Sequence, residues 1–247
     1  MRHWPVWLAA ATLLSGCAGP RSDSETVTVF AAASLKPVFT ELAEQFQTRH
    51  PGTTVVLSYG GSADLVTQLT QGAPADVFAS ADQRNMARAV EAGLVAGEPV
   101  DFAANTLTIV TRPGNPKDIA SFADLAKPDT AVVICAPQVP CGSATERLEK
   151  ATGVTLQPVS EESAVTDVMG KVLSGQADAG VVYATDATNA GDKVVAVPFP
   201  ESAEAVNIYP IAVLTEAADP AAARKFVDLV TGDRGRAAMT EAGFAKP

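Results

Sequence analysis

Histidine is nearly missing from this chain of 247 residues: His3 and His50 are the only two. His50 lies in Thr48-Arg49-His50-Pro51, a polar, helix-ending turn, so a Ser–His–Asp arrangement has little to build on. Neither a G-x-S-x-G elbow nor a P-loop occurs. A hydrolase is therefore the weakest function class, and any nucleotide hydrolysis would belong to a partner. The expectation is a non-enzyme with no catalytic residues and no cofactor. Positive charge is also scarce: 18 Lys and Arg face 28 Asp and Glu, a formal net charge of −10. Nucleic-acid binding depends on basic patches and is a poor fit. After the amino terminus no apolar run approaches membrane-span length. Internal repeats and low-complexity tracts are also missing.

The amino terminus itself reads as an export signal. Met1-Arg2-His3 is a short basic segment, and Trp4 to Leu14 is apolar apart from Pro5 and Thr12. That run is too short to span a bilayer. It ends in Leu14-Ser15-Gly16-Cys17, which resembles the bacterial lipobox, whose cysteine is acylated. The alternative is a secretory signal with an incidental cysteine. Residues 1–16 are thus expected to be a lipoprotein signal peptide, Cys17 the lipidation site and residues 17–25 a tether. The protein would be exported and lipid-anchored at the extracytoplasmic face of the cell membrane, stably so only with more than one acyl chain. Of the three cysteines, Cys135 and Cys141 remain. In an exported chain their spacing permits a disulfide; the alternative is two free or buried thiols. A metal site is disfavoured because no histidine lies near.

Strand and helix signals then alternate, which argues for parallel α/β units. Strands are expected at Thr26–Phe30, Thr54–Tyr59, Asp76–Ala79, Phe102–Thr111, Ala131–Cys135, Leu156–Val159, Ala179–Tyr183, Val194–Val197 and Asn207–Leu214. Helices are expected at Leu35–Gln47, from Ser62 to about Gln71, and over Ala81–Ala92, Ser143–Thr152, Ala164–Leu173, Pro220–Val230 and Arg234–Ala242. The segments Phe102–Thr111 and Asn207–Leu214 could carry the chain out of one lobe and back. That gives a discontinuous lobe I (26–105 with 209–247) and an inserted lobe II (106–208).

Several helix starts fall at strand-to-helix connections, where open α/β folds bind ligands. Ser34 follows Ala31-Ala32-Ala33; Ser62 follows Tyr59-Gly60-Gly61 and is expected to cap the helix that opens there. Val139-Pro140-Cys141-Gly142 leads into one helix of the second lobe and Ser163-Ala164-Val165 into another, while Tyr183 closes a strand there. If the lobes face each other, hydroxyls and backbone N–H groups converge. A donor-only site suits a small, fully ionised oxyanion, and a protonated one would add an unfavourable donor–donor contact. A lone helix-start serine is more often a cap, and Ser80, ahead of Asp82, is read as structural. So are Asp167 and Asp178, and Glu161-Glu162 reads as a solvated loop.

The segments VTVFAAASL (27–35), APADVFASADQ (73–83), VPCG (139–142) and AGVVYATDA (179–187) together resemble the molybdate-binding proteins that serve ABC transporters. The resemblance covers residues 26–247. It implies a type II periplasmic-binding-protein fold: two α/β lobes with a ligand cleft, joined by two crossover strands. It implies molybdate, with tungstate, as ligand, an ABC permease as partner, and a monomer. Carried over, the ligand-binding residues are Ser34, Ser62 and Tyr183 through hydroxyls, and Cys141 and Val165 through backbone N–H. The anion would be held through its oxygens, without protein–metal bonds. Cys141 departs from the more usual Pro-Ala-Gly, and SAVTDV around Val165 is less typical. Tyr183 in an apolar neighbourhood also fits a buried aromatic. The alternatives are a receptor for sulfate or another oxyanion, a ferric-iron receptor of the same fold, and a structural lipoprotein. Iron would need convergent tyrosines with carboxylate or histidine, and Tyr59, Tyr183 and Tyr209 are the only tyrosines.

Overall fold

The computed structural model describes residues 25–247; the expected signal peptide and Cys17 lie outside the described residues, as does nearly all of the tether. In chain order the elements are β1 (Glu25–Ala32), α1 (Lys36–Arg49), β2 (Thr53–Gly60), α2 (Ser62–Thr70), β3 (Val77–Ala79), α3 (Gln83–Glu91), β4 (Val100–Asn105) and β5 (Leu107–Thr111). Then follow β6 (Val132–Cys135), α4 (Pro140–Thr152), β7 (Ser160–Glu162), α5 (Val165–Leu173), β8 (Ala179–Tyr183), α6 (Ala184–Ala190), β9 (Val195–Val197), β10 (Asn207–Val213), α7 (Pro220–Thr231) and α8 (Asp233–Glu241).

The strands form two five-stranded sheets, ordered β2-β1-β3-β10-β4 and β7-β6-β8-β5-β9. Each sheet is mixed. β1 runs parallel to β2 and β3, while β10 is antiparallel to β3 and β4. In the second sheet β6 is parallel to β7 and β8, and β5 is antiparallel to β8 and β9.

Alternation along β1 explains the layering. Val27, Val29 and Ala31 pack with Phe39 and Phe46 of α1 and Phe226 of α7. Phe30 points to the opposite face and packs with Leu65, Val66 and Leu69 of α2 and Met86 of α3. The first sheet is thus covered on both faces, as a largely apolar strand set requires. Phe226 meets Phe39 and Phe46 edge-on, with ring centroids 6.1 and 5.5 Å apart.

Several expectations change. Phe102–Thr111 is not one strand but two, β4 and β5, which belong to different sheets. The break is at Thr106, whose N–H donates to the side-chain carbonyl of Asn105 at 3.0 Å instead of to a ladder partner. No strand forms at Leu156–Val159; Pro158 has no N–H for a ladder, the first bond to β6 is from the Val159 N–H to the Val132 carbonyl at 2.8 Å, and the paired register starts at Ser160. Glu161 and Glu162 therefore sit in β7 rather than a loop, and Glu162 pairs with Lys171 at 2.7 Å. Finally, α4 begins at Pro140, three residues earlier than Ser143, with proline in the first helical turn, where its missing N–H costs nothing. Asp178 is structural, as expected: it binds Arg112 at 3.2 Å and accepts the Ala131 N–H at 3.0 Å.

Asn105 and Asn207, the residues at which the chain leaves and re-enters the first sheet, are paired in register. Both are buried and both reach into the second lobe; Asn105 Nδ2 donates to Thr185 Oγ1 at 2.8 Å. One residue on, Asp186 has a buried Oδ2 with no hydrogen-bond partner among the described residues. Burial raises its pKa from 3.8 to about 7, with the backbone of Tyr183 opposing that rise. Below the ordinary aspartate value both folded and unfolded chains hold the proton and nothing is lost. As pH climbs towards 7 the unfolded chain ionises first, so stability falls. Asp186→Asn is expected to raise the unfolding midpoint at pH 8 by about 4 °C, equivalent to roughly 1–2 kcal/mol in a chain of this size, and to leave it unchanged at pH 4. Thermal unfolding at the two pH values checks this; an equal shift at both would refute it.

Candidate functional site

The carboxyl ends of β1 and β2 face the starts of α4 and α5 across a small cavity of no more than about 200 Å³. Pockets for drug-sized ligands run to roughly 300–1,000 Å³, so this one suits a small ion. One wall is Ala32 to Ser34, Gly60 to Ser62 and Ala81; the other is Val139 to Cys141, Val165 and Tyr183. All five residues expected from the sequence (Ser34, Ser62, Cys141, Val165 and Tyr183) thus line one cavity.

Neither serine is a cap. Ser34 lies in a 3-10 turn (Ala33–Leu35) ahead of α1, whose N-cap is Leu35. Ser62 is the first residue of α2, and Gly61 is the N-cap, without a side-chain cap bond. This corrects the reading of Ser62 as the cap, and it leaves both hydroxyls available for other partners. Ser80, by contrast, is engaged locally, donating to the Asp82 carbonyl at 2.8 Å.

Each hydroxyl is supported from behind. Ser62 Oγ accepts the Ala81 N–H at 3.0 Å. Ser34 Oγ lies 3.1 Å from the Tyr209 hydroxyl. Tyr183 Oη accepts from Asn207 Nδ2 at 2.7 Å. Ser34, Ser62, Tyr183 and Tyr209 are all 2% exposed or less. Burial, above all, raises Tyr183 and Tyr209 above the ordinary tyrosine value, so both remain protonated and able to donate. Cys141 and Val165 fall in the first turns of α4 and α5, where N–H groups precede the helical ladder and the helix dipole is positive.

Cys135 and Cys141 form a disulfide, which ties the end of β6 to the start of α4. The neighbouring Gly142 is required by space: a Cβ there would collide with the Ala136 carbonyl oxygen. A Cβ on Gly61 would likewise collide with the Ser163 carbonyl oxygen of the opposite wall. Arg84 Nη2 also crosses between the walls, donating to the Pro137 carbonyl at 2.8 Å. The two lobes are therefore in direct contact around the cavity.

The lining holds no carboxylate and no cation, and its only side-chain donors are three neutral hydroxyls. Such a lining suits a group that only accepts hydrogen bonds. His50 sits elsewhere, stacked on Phe46 at 4.2 Å with Nδ1 3.0 Å from the Phe46 carbonyl. Among the described residues no cluster of three His, Cys, Asp or Glu could hold a metal ion. Asn207 and Tyr209, which bond to Tyr183 and Ser34, are not among the residues expected from the sequence. Their signal was faint: a polar residue heading an otherwise apolar strand, and a tyrosine beside Pro210.

Residues 27–245 match the family model for bacterial extracellular solute-binding proteins. The molybdate-binding protein ModA of Mycobacterium tuberculosis is 55% identical over 233 residues, covering 94% of this chain and 89% of that protein. The periplasmic molybdate-binding protein of Azotobacter vinelandii superposes with a TM-score of 0.78 at 24% identity, over 90% of this chain and 99% of that one. The sulfate-binding protein SubI of Mycobacterium tuberculosis superposes with a TM-score of 0.76 at 22% identity, over 90% and 87%. The chain belongs to the family of bacterial extracellular solute-binding proteins. The two superpositions, both below 25% identity, speak for the two-lobed fold alone.

Proposed function

We propose that this protein is an extracytoplasmic receptor for molybdate, and for tungstate, that delivers its anion to an ABC permease. The observation that carries the reading is the cavity: three hydroxyls and two helix starts, with no acid, base or cation among its lining residues. Such a site satisfies a dianion that only accepts hydrogen bonds. Hydrogen phosphate carries a proton of its own and would leave a donor facing a donor. Sulfate shares molybdate's charge and shape class, and the superpositions do not separate the two. The 55% identity to a molybdate-binding relative favours the larger anion. Ferric iron would lack convergent carboxylate or histidine ligands here. The monomeric state, and membrane attachment through acylated Cys17, complete the proposal on sequence grounds.

Thermal unfolding of the chain with molybdate, tungstate, sulfate or phosphate is the direct test. Molybdate at a thousand times its dissociation constant is expected to stabilise the fold by roughly 4 kcal/mol. A clear shift with sulfate beside none with molybdate would overturn the reading. Ser34→Ala removes a bond to a charged group, and molybdate affinity should fall by about 10- to 100-fold. Undiminished binding would remove Ser34 from the site.

Gly61 supplies a separate prediction about closure. Its φ of −63° is open to any residue, so Gly61→Ala brings no backbone strain of its own, but the new Cβ and the Ser163 carbonyl cannot keep their present positions, and the two walls must move apart. The added methyl obstructs the contact with Ser163, and molybdate affinity should drop at least about tenfold. Calorimetric titration against the unaltered chain decides it, and equal affinities would show that this contact is not part of the bound state.

A further inference from the structure

We infer that Asn207 is a positioning residue that turns the Tyr183 hydroxyl proton away from itself, so that Tyr183 donates to an anion in the cleft. The inference rests on the proposed anion-binding role of that cavity.

The argument begins with the side-chain amide of Asn207, which is 2% exposed. Its Oδ1 accepts from Arg147 Nη2 at 2.6 Å. Its Nδ2 donates to the Pro140 carbonyl at 3.1 Å and to Tyr183 Oη at 2.7 Å. A guanidinium can only donate and a carbonyl oxygen can only accept. With one on each side, the amide cannot be turned over without opposing two donors and two acceptors at once. The nitrogen, not the oxygen, therefore faces Tyr183.

A tyrosine hydroxyl has one proton. Because Oη already accepts from Asn207, its own proton turns away from that amide, towards the neighbouring Tyr209 hydroxyl or an anion in the cavity that Tyr183 lines. A fixed polarity thus runs from Arg147 through Asn207 to Tyr183. Arg147 is itself exposed and also reaches the Val206 carbonyl at 3.3 Å. Ser62 is set the same way by the Ala81 N–H, since a backbone amide can only donate. The pair Ser34–Tyr209 lacks such a lock, because either hydroxyl can give the proton. Asn207 thereby contributes to preference for unprotonated oxyanions as well as to affinity: with its proton directed at the ligand, Tyr183 would have to turn that proton away before it could accept one from a protonated anion.

The test is a double-mutant cycle on the full chain, with molybdate as probe, using Asn207→Leu, Tyr183→Phe and the two combined. Asn207→Leu is expected to weaken binding about tenfold in the parent and less than about threefold in the Tyr183→Phe background. The tyrosine difference absorbance that molybdate induces should also shrink in Asn207→Leu at saturation, a signal that a merely loosened α4 would not move. Equal losses in both backgrounds would mean that Asn207 acts through Pro140 and the start of α4, and would overturn the inference, as would no loss at all. Should Asn207→Leu fail to fold, the exposed Arg147→Gln carries the same test, with an expected loss of about threefold that vanishes in Tyr183→Phe. Absence of molybdate binding by the unaltered chain would instead overturn the proposed function beneath it.

Discussion

An anion in this cleft meets no opposite charge, so each bond to it must come from a neutral donor whose proton is aimed beforehand. A carboxylate or a phosphate held by arginine gains from Coulomb attraction even when the geometry is loose. A site of hydroxyls and backbone N–H groups has no such reserve, because its strength lies in direction and dryness. Much of the surrounding structure can be understood from that demand. Ser62 is backed by the Ala81 N–H and Tyr183 by Asn207, and burial keeps the tyrosine protonated. The Cys135–Cys141 disulfide and Gly142 hold the α4 start against the end of β6, which places the Cys141 backbone on the cavity wall.

The same demand explains why the site is divided between two sheets. A single strand-to-helix turn offers a few donors over a narrow solid angle, whereas a tetrahedral anion needs them from several sides. Two sheets with facing carboxyl ends provide this, at the cost of linking the halves. The links are short, at Thr106 and just before Asn207, and a buried asparagine stands at each. Asn105 bonds to Thr185 and Asn207 to Tyr183, so both crossings are tied to the segment that ends β8 and begins α6. Movement of the lobes about these crossings would be felt directly at the tyrosine. Asp186, with its unpartnered Oδ2, lies in that segment too, which makes it a place where the structure tolerates cost near its pivot.

Much of this was legible in the sequence because its signals are local. Alternating β-branched residues in VTVF and the Gly-Gly before Ser62 report on backbone geometry within a few residues; the proline at the start of α4 is a signal of the same kind, yet the expected start at Ser143 overlooks it. The five lining positions were reached through helix starts and through family resemblance. What escaped depends on partners distant in the chain. Asn207 meets Tyr183 and Pro140, which lie 24 and 67 residues away, and no periodicity announces such a bond. Ser62 read as a cap because a serine after Gly-Gly ordinarily is one; its hydroxyl is instead taken by Ala81, 19 residues on. The split between β4 and β5 was hidden because both halves are β-rich, and the break is marked by the bond that the Thr106 N–H donates to the side-chain oxygen of Asn105. Local pattern determines elements, while the orientation of protons is a tertiary property.

The chain's net charge of −10 looks hostile to an anion, yet its effect on the cleft is small for physical reasons. At physiological ionic strength exposed charges are screened over about 8 Å, and none of the cavity-lining side chains is ionised. The helix starts show the same separation on a finer scale. Asp64 and Asp167 occupy the first turns of α2 and α5, where a carboxylate steadies the helix by answering its dipole. Both are exposed, so water weakens their field, while the donors on the inner side of the same turns are dry. These helix starts are thus stabilised from outside by screened carboxylates, which do not occupy the inner side of the turns. Acidity at the surface and anion capture in the cleft are compatible because water lies on one side of these turns and not on the other.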